Sequence, residues 1–127
     1  MRSLLYLLLA AILLPTGLLP AADKHIVLIA GKPSHPPGMH EFHAGLLLLQ
    51  QCLANTPGVK TTVHRNGWPE APDAFAGADA VVLYCDGGDK HPAIQADRRE
   101  ILRALAQKGV GLGFMHYGVE IPAKNGG

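Results

Sequence analysis

Apolar positions along this chain change their period several times, and each change marks an element. His25-Ile26-Val27-Leu28-Ile29-Ala30 is a continuous, mostly apolar run that ends at Gly31. A short run of this kind, bounded by a turn residue, predicts a parallel strand buried on both faces. Three prolines between Lys32 and Gly38 make the next segment a loop. From Glu41 to Asn55 the spacing becomes helical, with Phe42, Leu46, Leu49 and Leu53 on one face and Leu47, Leu48 and Cys52 widening it. Asn55-Thr56-Pro57-Gly58 stops that helix, and Val59, Thr61 and Val63 then alternate as an edge-like strand. Gly67 to Pro72 reads as a loop leading into a short helical turn through Phe75. Ala80 to Cys85 is a third apolar strand, followed by a tight turn at Asp86-Gly87-Gly88-Asp89. Pro92 to Lys108 reads as one helix that buries Ile94, Ile101, Leu102 and Leu105 and ends at Gly109. Val110 to Met115 is the fourth strand.

Strands alternating with helices predict an α/β three-layer sandwich: a parallel sheet, helices on both faces, right-handed crossovers. Doubly wound sheets usually carry five or six strands. The expectation is therefore of an incomplete domain over residues 23–127, with its fourth strand uncovered.

Residues 1–22 have a different character. Arg2 precedes an unbroken apolar run from Leu4 to Leu14, and Pro20-Ala21-Ala22 offers small residues before Asp23. A membrane span needs roughly 20 apolar residues, so this run suits a secretory signal removed near Ala22 better than an uncleaved anchor. Export to the periplasm or the exterior is the expectation, with membrane contact only through the leader.

Loss of Arg2 would lower the eleven Lys and Arg to ten, matching the ten Asp and Glu. That balance argues against nucleic acid or an anionic membrane surface as the main partner, because both select a basic excess. Two cysteines, Cys52 and Cys85, are too few for a disulfide scaffold; both lie in apolar segments, as buried free thiols do, although one bridge remains open.

Chemistry-bearing residues concentrate in three loops. Ligands of open parallel sheets bind beyond the carboxyl ends of the strands. After the first strand come His35, His40 and His43; after the third, Asp86, Asp89 and His91; after the fourth, His116, Tyr117 and Glu120. Five of the seven histidines fall in these loops, so the topology would collect them at one rim. His43 reads as an exposed early-helix residue, Asp89 as a cap of the second helix, and His91 as a lead into Pro92. His35, His40 and His116 carry the candidate chemistry, since imidazole serves as general base, sugar hydrogen-bonding group or metal ligand. No dinucleotide fingerprint, phosphate loop, His-Glu-x-x-His helix or Cys-x-x-Cys pair is present.

Four stretches, Ile29-Ala30-Gly31-Lys32-Pro33-Ser34-His35, His40-Glu41-Phe42-His43-Ala44-Gly45, Asn66-Gly67-Trp68-Pro69 and Met115-His116-Tyr117-Gly118-Val119-Glu120, together resemble the ThuA-like (trehalose utilisation) family. The resemblance runs from about Lys24 to the end. It implies a class I glutamine amidotransferase-like, flavodoxin-like fold, a longer complete domain, and a link to trehalose-type sugars. Class I amidotransferases set a nucleophilic cysteine on a Gly-x-Cys-x-Gly turn. Here the turn reads Phe114-Met115-His116-Tyr117-Gly118, with His116 where the thiol would stand. Cys-dependent amidotransferase chemistry is therefore not expected.

Taken together, the expected protein acts on or binds a small carbohydrate at a His-lined rim. His116 and Glu120 are its candidate acid/base groups, and His35, His40, Asp86 and Tyr117 its substrate contacts. A divalent metal such as zinc is a candidate cofactor, with His40 and His116 as ligands. A non-catalytic sugar-binding or scaffold module of the cell envelope is the alternative.

Overall fold

The computed structural model describes residues 22–126; the expected leader lies outside the described residues apart from Ala22. Four parallel strands form one sheet: β1 (Lys24–Ala30), β2 (Val59–His64), β3 (Ala80–Tyr84) and β4 (Gly111–Met115). Helix α1 (Phe42–Leu53) connects β1 to β2, and α2 (Arg98–Gln107) connects β3 to β4. The order across the sheet is β2-β1-β3-β4. This is the flavodoxin-like order, in which winding reverses between β1 and β3 and leaves a crevice at their carboxyl ends.

The side-chain alternation of β1 builds both halves of the core. Val27 and Ile29 point to one face, where they cluster with Val81, Leu83 and Leu102 of α2. Leu28 and Ala30 point to the other and meet Phe42 and Leu46 of α1. A strand sealed by helices on both sides has no polar face, which is why β1 reads as a continuous apolar run. Edge strand β2 instead alternates half-buried and exposed positions over most of its length. At the opposite edge, Leu112 and Phe114 pack on the α2-side core while Gly111 and Met115 are exposed.

Four local expectations need correction. The helix expected from Pro92 to Lys108 is split: Pro92–Ile94 is a 3-10 turn, and α2 begins only at Arg98. Between them Ala96 takes a left-handed φ of 50°, which a continuous right-handed helix cannot contain. Gly109 does close α2 with φ 83°. Asp89 does not cap the helix; its carboxylate pairs with Lys124 at 2.8 Å. The expected helical turn at Phe75 is a chain of hydrogen-bonded turns, Ala74 N to Ala71 O and Ala76 N to Asp73 O. Cys52 is exposed on α1 while Cys85 is buried, and both are free thiols. Cys52 escapes burial because α1 presents only Phe42 and Leu46 fully to the sheet, leaving Leu47 and Leu48 outward with it.

Candidate functional site

The site is assembled where β1, β3 and β4 end. Gly31 follows β1 and is buried against β3; a Cβ there would lie 2.8 Å from Cys85 Cβ, so the two strand ends close only around glycine. The proline-rich loop then carries His35 over the crevice and returns through His40 into α1. Gly38 N–H donates to the Glu41 carboxylate at 2.6 Å, which ties the loop just before the helix. Asp86 leaves β3 one residue after Cys85, and His116 is the first residue beyond β4.

These side chains converge as the rim position predicts. Asp86 is the hub: His40 Nδ1 lies 2.9 Å from its Oδ1, His35 Nδ1 3.7 Å from its Oδ2, and His116 Nδ1 3.9 Å from Oδ1. The His35 and His40 rings lie 3.8 Å apart between centroids, and those of His40 and His116 4.6 Å apart. Phe42 packs beneath, 5.9 Å from the His40 ring and 5.7 Å from that of His116. Tyr117 stands edge-on to His116 at 4.5 Å and is 48% exposed.

Two of the histidines occupy backbone that histidine adopts at a cost. His40 has φ 52° and His116 φ 60°, both left-handed. An L side chain there costs about 1–2 kcal/mol, and such conformations gather at functional sites.

Burial draws the Asp86 carboxyl upward, but hydrogen bonds from Ser34 and His40 and the nearby His40 and His35 rings outweigh it, so its pKa is lowered. It is therefore a carboxylate at neutral pH and a strong acceptor. Ser34, whose hydroxyl also lies 3.0 Å from His35 Nδ1, is a site residue that the sequence reading passed over. Its only signal was adjacency to His35. Phe42 was assigned to the core alone, yet it also supports the imidazoles.

His35, His40 and Asp86 each present a donor atom within 4.8 Å of the other two. Tetrahedral zinc at about 2.0–2.1 Å from nitrogen or oxygen separates its ligands by roughly 3.3 Å. His40 Nδ1 approaches Asp86 Oδ1 at 2.9 Å, shorter than that value and a hydrogen bond as it stands, and His35 Nδ1 lies 3.7 Å from the other carboxylate oxygen, Oδ2. Three protein donors also leave a position open, as in catalytic zinc sites. His116 approaches Asp86 but stands outside this compact donor set.

The remaining expected residues are placed differently. Glu120 is exposed and borders the larger of two cavities, but its carboxylate makes no hydrogen bond or ion pair among the described residues. His43 is half-buried rather than exposed, because the first turn of α1 rolls it inward; its Nε2 is sequestered without a partner. His91 is completely buried away from the cluster. The Cys85 thiol is pushed up to about 12 by burial and by the Asp86 charge, so it stays protonated and unreactive at neutral pH.

The imidazole cluster lies between two depressions. The smaller, about 450 Å³, is lined by Pro33, Pro37, Met39 and Phe42. The larger, about 1070 Å³, is lined about equally by polar and apolar surface, with Ser34, Asn66, Glu70, Asp86 and Tyr117 in its wall. His35 and His40 border both. Comparison of the chain with protein-family models, curated proteins and solved structures returned no match.

Proposed function

We propose that this is an exported ThuA-like protein that binds or transforms a small carbohydrate at a divalent-metal centre formed by His35, His40 and Asp86. The observation that carries the metal reading is the mutual approach of three donor atoms within 4.8 Å at the β1–β3 crevice. The carbohydrate reading rests on the resemblance of the loop sequences and on the mixture of polar and apolar side chains in the wall of the larger cavity, which suits the hydroxyls and ring faces of a sugar. A zinc ion so held would polarise a sugar hydroxyl, a carbonyl or a water. The chain's own groups then divide the work. Asp86 supplies fixed negative charge and Ser34 orients His35. His116, beside Asp86 and free of hydrogen bonds among the described residues, has ring nitrogens available to hold or pass a proton. Tyr117 offers a half-exposed ring on which the apolar face of a sugar can lie.

The test is calorimetric titration of the full chain with Zn²⁺ and then with trehalose-type disaccharides, with and without the metal. One zinc per chain is expected. His40→Ala and Asp86→Asn should weaken zinc binding by more than about tenfold, or 1.4 kcal/mol, in variants whose melts show a folded domain. Equal zinc affinity in parent and variants would remove the metal centre. Sugar binding indifferent to zinc, with no turnover, would favour the non-catalytic binding module.

A further inference from the structure

We infer that His91 is a positioning residue, holding the turn after β4 so that His116 faces Asp86 with Tyr117 beside it. For its functional consequence this rests on the proposed site, but its geometry is independent of any metal. His91 is the one polar side chain among the fully buried residues described. Both ring nitrogens are engaged. Ala93 N–H donates to Nδ1 at 3.0 Å, so Nδ1 carries no proton; Nε2–H therefore donates to Gly118 O at 2.8 Å. A single neutral tautomer satisfies both bonds, and a buried imidazole lacking them would be costly.

The acceptor, Gly118, belongs to the 3-10 turn His116–Val119. Ring packing against Phe42, Tyr84 and Tyr117 surrounds His116, but it carries no directional bond. The His116 ring makes no hydrogen bond among the described residues, standing 3.9 Å from Asp86, and its backbone is left-handed at φ 60°. A strained backbone persists only where its surroundings over-determine it. Here those surroundings are specific. Gly118 is buried so tightly that a Cβ would lie 3.2 Å from Cys85 Sγ. Glu120 O accepts from Gly88 N at 3.0 Å. His91 clamps the middle of the turn from the side of the α2 connection, 6.2 Å from the Phe114 ring of β4. His91 caps the Pro92–Ile94 turn by accepting from the Ala93 N–H and reaches Gly118 with the other nitrogen.

Three substitutions in the full chain separate positioning from simple core filling. His91→Gln keeps a terminal N–H donor for Gly118 O, His91→Asn keeps only an acceptor near Ala93 N, and His91→Phe keeps the ring volume alone. Readouts are amide hydrogen exchange at residues 117–120, the side-chain ¹⁵N resonances of His116, and Zn²⁺ titration. Phe and Asn are expected to lower protection of the turn at least tenfold and to shift the His116 resonances, with β1 and β3 amides unchanged; Gln is expected to restore both. Zinc affinity should stay within about threefold, some 0.65 kcal/mol, because His35, His40 and Asp86 are untouched. Unchanged His116 resonances in folded His91→Phe and His91→Asn would overturn the proposal. So would a folded Gln variant that restores nothing, or unfolding of all three. A parent that fails to bind zinc counts against the metal centre alone, since the His116 resonances and exchange rates still read His91.

Discussion

Left-handed backbone at His116 makes a quantitative expectation that is independent of what the site binds. Replacing His116 by Ala and by Gly removes the same imidazole, so the loss of packing against Phe42 and Tyr117 is common to both variants. The difference between them is backbone alone. At φ 60° an alanine retains the Cβ clash of the left-handed region, about 1–2 kcal/mol, which glycine escapes. Against this, glycine has the greater freedom to lose from the unfolded chain, about 0.4–1 kcal/mol. His116→Gly should therefore be the more stable variant by about 0.5–1 kcal/mol, or roughly 2–8 °C in Tm for a domain of this size. Thermal melts followed by circular dichroism, with urea midpoints as a second measure, provide the comparison. Zinc affinity should be close to parental in both, since His116 is outside the compact donor set. An alanine variant as stable as the glycine variant would show that the turn carries no left-handed strain, and the account of His116 as a residue held in place at a cost would fall.

Other perturbations probe the surroundings of the site. Gly87→Ala would set a Cβ 2.5 Å from Tyr117 O and 2.6 Å from Glu120 Cβ, both on the turn that carries His116. It should destabilise by about 1–3 kcal/mol, and parental urea midpoints would contradict that close approach. Iodoacetamide at pH 8 should label exposed Cys52 and spare Cys85, whose thiol is raised to about 12; mass spectrometry showing rapid native-state labelling of Cys85 would refute the packing role. The Lys24 ammonium and the His25 N–H hold the Asp79 carboxyl below its ordinary pKa. A depressed folded pKa contributes stability that is complete above the unfolded value of about 3.9 and lost as pH falls through the folded one. The gap in urea midpoint between parent and Asp79→Asn should thus be full at neutral pH and close in acid; a gap that widens in acid would reverse the sign.

The periodicity of the chain by itself determined the parallel α/β architecture. A strand buried by helices on both faces must be apolar at every interior position, and Val27 to Ala30 satisfy that condition without reference to any other segment. The rim was legible for a related reason: in a parallel sheet every strand ends on the same side, so His35, His40, Asp86 and His116 had to share an edge once the strands were identified. What the edge does with them was decided by tertiary structure. Strand order sets β1 beside β3, and that adjacency, invisible in local pattern, brings His35 and His40 to Asp86 and makes Ser34 part of the site. The α2 boundary moved at a local reversal of the backbone. Helical spacing from Pro92 onward was real, but Ala96 takes a left-handed φ of 50°, which separates the Pro92–Ile94 turn from α2; His91 caps that turn through the Ala93 N–H and bonds Gly118 across 27 residues. Local propensity could not register that contact, because its partner lies beyond β4. The sequence set His43 and His91 apart from His40, but it did not place them. Only the packing sends one to a helix flank, one to the core and one to the carboxylate.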